Sequence, residues 1–151
     1  MYRVNTGEEA LAGMIRLLQV SKGFEKAVDR RTRLAAGITY SGFMTLIVLH
    51  GLGETTAYRV SLVLGMEHHS AVEIINRLKV RGLVGRAKDG VYVTAAGQKA
   101  IKSTLDDRYI KETLAWITRA DISKALKLMR EALLDLVGGV SQDITLSLGK
   151  D

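Results

Sequence analysis

The chain has 151 residues, 47% of them hydrophobic and 25% charged, with a formal net charge of +6, which suits one globular domain with a full core, or a small domain plus helices that pack on a second copy. Cysteine is absent, so disulfides and thiolate metal sites are excluded, and no apolar run reaches the ~18–20 residues of a membrane span. The opening MYRVNTGEEALAG carries acids where a signal peptide needs a basic start and an apolar core, so a soluble, cytoplasmic protein is expected.

In chain order, Thr6-Gly7-Glu8-Glu9 fits a capping box, with Thr6 as N-cap and Glu9 three residues on. Leu11, Met14, Ile15 and Leu18 then form one stripe, continued by Phe24, Ala27 and Val28, which predicts a helix over 7–34. So long a helix with so sustained a stripe suits packing against a second chain. Residues 35–40 turn the chain. A second helix begins at Ser41, buries Phe43, Leu46, Ile47 and Leu49, and stops at His50-Gly51-Leu52-Gly53. Thr56 caps a short third helix through Leu64, with Val60 and Leu64 inward and Ser61 small where the next helix crosses.

Residues 67–81 (EHHSAVEIINRLKVR) predict a fourth helix, ended by Gly82. Ala71, Ile74, Ile75 and Leu78 line its inner face at helical spacing, while His69, Val72, Glu73, Asn76 and Arg77 occupy the far side. Residues 83–87 and 91–93 are short β-prone runs around Asp89-Gly90, the favoured pair for a type I′ turn. In that register Lys88 faces Val91 and Arg86 faces Val93. Thr94 caps a further helix running to residue 117, Thr118-Arg119-Ala120-Asp121 reads as a break, and a last helix holds its spacing from Ile122 to Gly138. The tail 139–151 carries no pattern.

These elements predict a mainly α chain with a small β-ribbon. It is a single domain, 1–151, with a winged helix-turn-helix core over 41–94 flanked by long dimerisation helices at 7–34 and 95–138. The charge is placed to match. Seven basic residues stand against one acid, Asp89, between Arg77 and Lys102, and the remainder of the chain is neutral. An excess concentrated on a helix end, a hairpin and the next helix start is the footprint of a polyanion-binding surface, beside the plainer reading of a solvated face.

The stretch TTAYRVSLVLGMEHHSAVEIINRLKVRGLVGRAKDGVYVTAAGQKAI resembles the DNA-binding core of MarR-like transcriptional regulators. The resemblance is carried by Leu64-Gly65 closing one helix and the apolar Met66 after it. Ile74, Ile75 and Leu78 match the inner face, Arg77-Leu78 and Arg81-Gly82-Leu83-Val84 the close of the reading helix, and Val93-Thr94-Ala95-Ala96-Gly97 the strand leading into the next helix. The pattern is also shared by PadR-like and ArsR-like winged helices. It implies a homodimer joined through the terminal helices, a repressor-type role on a pseudo-palindromic operator, and a cleft for a small-molecule effector between dimer helices and reading heads. Two features depart from the family: the wing is minimal, with only Lys88 near its tip, and Glu73 puts an acid where a basic or polar residue is usual.

Groove chemistry assigns the candidate contacts. Asn76 suits adenine N6 and N7, Arg77 guanine or a phosphate, His69 a base or a phosphate, Val72 a thymine methyl, and Glu73 cytosine N4. Ser70 and Lys88 suit phosphates, and Lys79 and Arg86 join Arg77 and Lys88 in supplying electrostatic attraction. Each is otherwise an ordinary solvent-facing residue; Glu73 serves equally in a surface ion pair, and Arg81 as a bridge from helix to wing. Tyr40, Tyr58 and Trp116 are candidates for an effector cleft, although isolated aromatics read first as core. His68 and His69, with Glu67, Glu54 and His50 near in sequence, do not make a metal site, because adjacent helical side chains diverge by about 100°. No nucleophile with a paired base is present, so neither catalysis nor a cofactor is expected. The rival expectation is a winged helix that binds a partner protein rather than double-stranded DNA.

Overall fold

The fold is built around a helix that is apolar on every side. In the computed structural model, which describes residues 7–137 with side chains to residue 134, α2 (Tyr40–Leu52) buries Phe43, Leu46, Ile47, Val48 and Leu49. A helix without a polar face must be covered all round. Around it pack α1 (Glu8–Ala36), α3 (Ala57–Leu64), α4 (His68–Val80), β2 (Gly90–Val93) and α5 (Ala95–Leu105). The Thr39 hydroxyl caps α2 by accepting from the Gly42 N–H at 3.0 Å. The helix starts one residue before Ser41 because Asp29 Oδ1 accepts from the Tyr40 N–H at 2.7 Å.

α1 ends at Gly37, whose left-handed φ of 64° lets its N–H reach the Arg33 carbonyl. The expected cap Thr6 lies outside the described residues, as does the tail 139–151. Only the second half of α1 meets the core, through Val28 and Thr32, whereas Leu11, Met14, Ile15 and Leu18 are exposed. α3 starts at the expected cap, the Thr56 hydroxyl accepting from the Arg59 N–H at 3.3 Å. Val60 is buried and Leu64 half-buried, and Ser61 is buried with its Oγ donating to the Tyr58 carbonyl at 2.6 Å. Gly65, at φ 62°, turns the chain into α4, which packs Ala71, Ile75 and Leu78 inward.

The ribbon forms with a different register from the one the sequence favours. β1 (Val84–Ala87) pairs antiparallel with β2 as Val84↔Val93, Gly85↔Tyr92, Arg86↔Val91 and Ala87↔Gly90. Arg86 therefore faces Val91 rather than Val93, Lys88 and Asp89 form the loop, and Gly90 is a strand residue without positive φ. The cause is a non-local neighbour. Thr55 bridges to Val91, with N···O distances of 3.1 and 2.8 Å in the two directions, and a Cβ on Gly90 would lie 2.2 Å from the Thr55 carbonyl oxygen. Gly90 is needed for close approach rather than for a left-handed turn.

The helix expected over 95–117 is two helices, α5 and α6 (Arg108–Ile117). Asp107 separates them by capping α6, its Oδ1 accepting from the N–H groups of Tyr109 and Ile110 at 3.0 and 3.1 Å. The break before the final helix, α7 (Ala120–Val137), falls where expected. Among the described residues no single helix is long and apolar enough to cross a membrane.

Candidate nucleic-acid interface

The two faces of α4 are sharply divided. Opposite the buried Ala71, Ile75 and Leu78, the side chains of His69, Glu73, Asn76 and Val80 follow one another at i, i+4, i+7 and i+11 and all stand in solvent. Val80, absent from the predicted reading face, completes that row at the same spacing and is 89% exposed. Val72 and Lys79 are half-buried on one flank of the row; Ser70, half-buried, and Arg77, exposed, lie on the other. The predicted contacts on this helix are thus brought onto one outward surface, with Val72 less accessible than a methyl-reading role asks.

Glu73 and Arg77 are paired, Arg77 Nη2 lying 3.4 Å from Glu73 Oε2 with both side chains exposed. Such a pair contributes little stability in water, but it places a carboxylate beside the one arginine on the exposed side of α4. On the ribbon, Arg86 and Lys88 are exposed. The loop is held from below, since Glu54 Oε1 accepts from the Asp89 N–H at 3.0 Å. The wing is therefore short but fixed.

Arg81 does not bridge helix and wing. Its Nη1 donates to the Gly37 carbonyl at 2.6 Å and its Nη2 to the Ala36 carbonyl at 3.2 Å, so it ties the end of α4 to the last carbonyls of α1. Thr94, at the far end of the ribbon, caps α5 through the Gly97 N–H and donates its hydroxyl to the Gly82 carbonyl at 2.6 Å.

A cleft of about 580 Å³ lies between α1, the start of α2 and α4. Lys22, Lys26, Asp29 and Arg33 line it from α1, Tyr40 and Ser41 from α2, and Ser70, Glu73, Ile74 and Arg77 from α4. Its charges are largely compensated: Lys22 pairs with Glu25, Arg33 with Asp29 and Arg77 with Glu73. The Arg33 guanidinium, and then the Tyr40 N–H, hold the Asp29 carboxyl below the usual carboxylate range. Burial, with Glu25 nearby, pushes the Tyr40 phenol up. Tyr40 is set edge-on to Phe24, with ring centroids 6.4 Å apart. Of the three aromatics weighed for a cleft, Tyr40 lines this one; Tyr58 and Trp116 do not, and both are exposed. Among the described residues no group of three or more His, Cys, Asp or Glu side chains is placed to hold a metal ion.

Solved structures share this architecture. A MarR family transcriptional regulator from Streptomyces coelicolor superposes with a TM-score of 0.72 at 18% identity, covering 87% of this chain and 97% of its own. An organohalide-sensing transcriptional regulator in its 2,4-dichlorophenol-bound form gives 0.72 at 23% identity, covering 100% of this chain and 95% of its own. The transcriptional repressor CouR bound to p-coumaroyl-CoA gives 0.65 at 18% identity, covering 87% and 97%. No protein-family model and no curated protein matches the sequence. The chain has the winged-helix fold of the MarR regulators.

Proposed function

We propose that this protein is a dimeric, sequence-specific, double-stranded-DNA-binding transcriptional regulator of the repressor type, acting in the cytoplasm. The observation that carries the reading is the row His69, Glu73, Asn76 and Val80, exposed on a helix whose opposite row is the protein core. The row mixes donors, acceptors and methyls as major-groove readout requires. Arg77 and Lys79 on the helix, with Arg86 and Lys88 on the ribbon, supply the sequence-independent attraction to phosphates. Ser70 supplies a further phosphate contact. The likeness to regulators of the MarR fold supports the same reading.

Dimerisation is supported by apolar surface at both ends of the chain. Leu11, Met14, Ile15 and Leu18 on α1, and Leu126, Met129 and Leu133 on α7, are all exposed, and a second copy would cover them. The cleft of about 580 Å³ is of the size that takes small organic ligands, and it is the proposed effector site. An occupant there would touch Glu73 in the reading row and Ser70 and Arg77 on its flank.

Selection of bound duplexes from a random library tests the proposal, with a two-fold symmetric consensus as the expected result. The Glu73–Arg77 pair and the short wing favour a rival, a winged helix that docks on a protein. Early elution from heparin, no enriched sequence and no shift of random duplex at micromolar protein would favour that rival.

A further inference from the structure

A helix about 10–12 Å across fills a major groove about 12 Å wide, so phosphate strands run along both of its flanks. One flank of α4 is the cleft side, with Ser70 and Arg77. The other is α3, whose first turn carries Tyr58 and Arg59. Both are exposed, Tyr58 at 60%, although a large aromatic ring in water has no packing reason to be there. Its ring meets that of His68, the first residue of α4, with centroids 6.1 Å apart and planes at 62°. Among the described residues Arg59 has no carboxylate partner, in contrast to Arg77. The turn that carries Tyr58 and Arg59 follows Thr55, which is bonded to the ribbon at Val91. The first turn of α3 thus adjoins both the start of the reading helix and the wing.

We infer that Tyr58 and Arg59 bind the sugar-phosphate backbone of the DNA strand passing along the α3 side of α4, with His68 as the positioning residue for Tyr58. The inference rests on the regulator reading. The Tyr58 hydroxyl donates to a phosphate oxygen and Arg59 supplies charge, neither contact reading sequence. A ring already held edge-on by a neighbour loses less freedom when it binds. This gives the α3 flank the cationic and hydroxyl donors that the cleft flank draws from Arg77 and Ser70.

Fluorescence anisotropy of the full chain with a selected and a random duplex, across a range of salt, tests it. Y58F is expected to weaken both duplexes alike, roughly five- to tenfold, with the salt slope unchanged. R59Q is expected to weaken both and lower the salt slope by about one. H68F keeps a ring edge against Tyr58 and retains wild-type affinity, whereas H68A matches Y58F and adds nothing in the Y58F background. Wild-type affinity and slope in both Y58F and R59Q, with the wild type binding, would overturn the inference and leave the regulator reading standing. If the wild type binds neither duplex, the regulator reading fails and the contact with it.

Discussion

Arg31 and Asp107 meet across 76 residues of chain, Arg31 Nε donating to Oδ1 at 3.2 Å and Nη2 to Oδ2 at 2.6 Å. The same guanidinium lies 4.2 Å from the centre of the Tyr109 ring. A two-pronged bond of this kind fixes orientation as well as distance. Asp107 also caps α6, so one carboxylate sets both where α5 stops and how the C-terminal helices leave the core.

D107A removes cap and pair together and is expected to lower Tm by on the order of 5 °C. The Arg31 hydrogen bond holds the Asp107 carboxyl below its usual range, as Arg33 does for Asp29. Groups depressed in the folded state stabilise it above their unfolded pKa, about 4, and that contribution is lost as pH falls through the lower folded value. Thermal melts between pH 6 and pH 2 should therefore show a loss below about pH 4 that is smaller in D107N. An unchanged acid limb in D107N would count against the assignment.

The helix starts at Thr56 and Thr94, the inner face of α4 and the outward row were legible because each is written within a few residues: a hydroxyl before an apolar period, a glycine after it. What escaped the sequence is non-local. The cap that splits α5 from α6 is local, Asp107 two and three residues before the N–H groups it takes, but the Arg31 guanidinium that pairs with the same carboxylate comes from far back in α1. The ribbon register depends on Thr55 lying against Gly90, which outweighs the local preference of Asp-Gly for a type I′ turn. The cleft draws on three helices, and Arg81 finds its partners in the last carbonyls of α1, so neither leaves a contiguous signal. Val80 was within reach of the period that found Asn76.

Contacts on the outward row and those on its rim should separate experimentally. N76A removes a bidentate partner for adenine and should cost about 1–3 kcal/mol on the selected duplex with little effect on random duplex. R77A and K88A should each weaken both duplexes and lower the salt slope by about one. Binding titrations of the three variants at several salt concentrations check this, and a salt slope unchanged in K88A would remove the wing from the interface.

Gly90 offers a test of the register. G90A pushes a methyl against the Thr55 carbonyl, and the ribbon must move off residue 55 or the backbone must shift. Overpacking of this sort costs about 1–3 kcal/mol, visible as a drop in Tm. Amide exchange at Val91, whose N–H donates to the Thr55 carbonyl at 2.8 Å, should accelerate in the same variant. Were Gly90 a turn residue with free space around it, alanine would leave that amide protected.

The exposed half of α1 bears on assembly rather than on the monomer fold. Met14 and Leu18 lie one helical turn apart on a face that the other described residues leave uncovered. Both side chains are exposed among the described residues, so with Asp at either position the monomer should keep its helical content. A dimer interface would instead have to bury an unpaired carboxylate, which costs several kcal/mol. Light scattering should accordingly give twice 16.5 kDa for the wild type and 16.5 kDa for M14D and L18D. Binding to a two-fold symmetric duplex should fall with the mass, because two reading heads linked in one particle engage both half-sites at a high effective concentration. Variants that stay dimeric would place the interface on α6 and α7 alone.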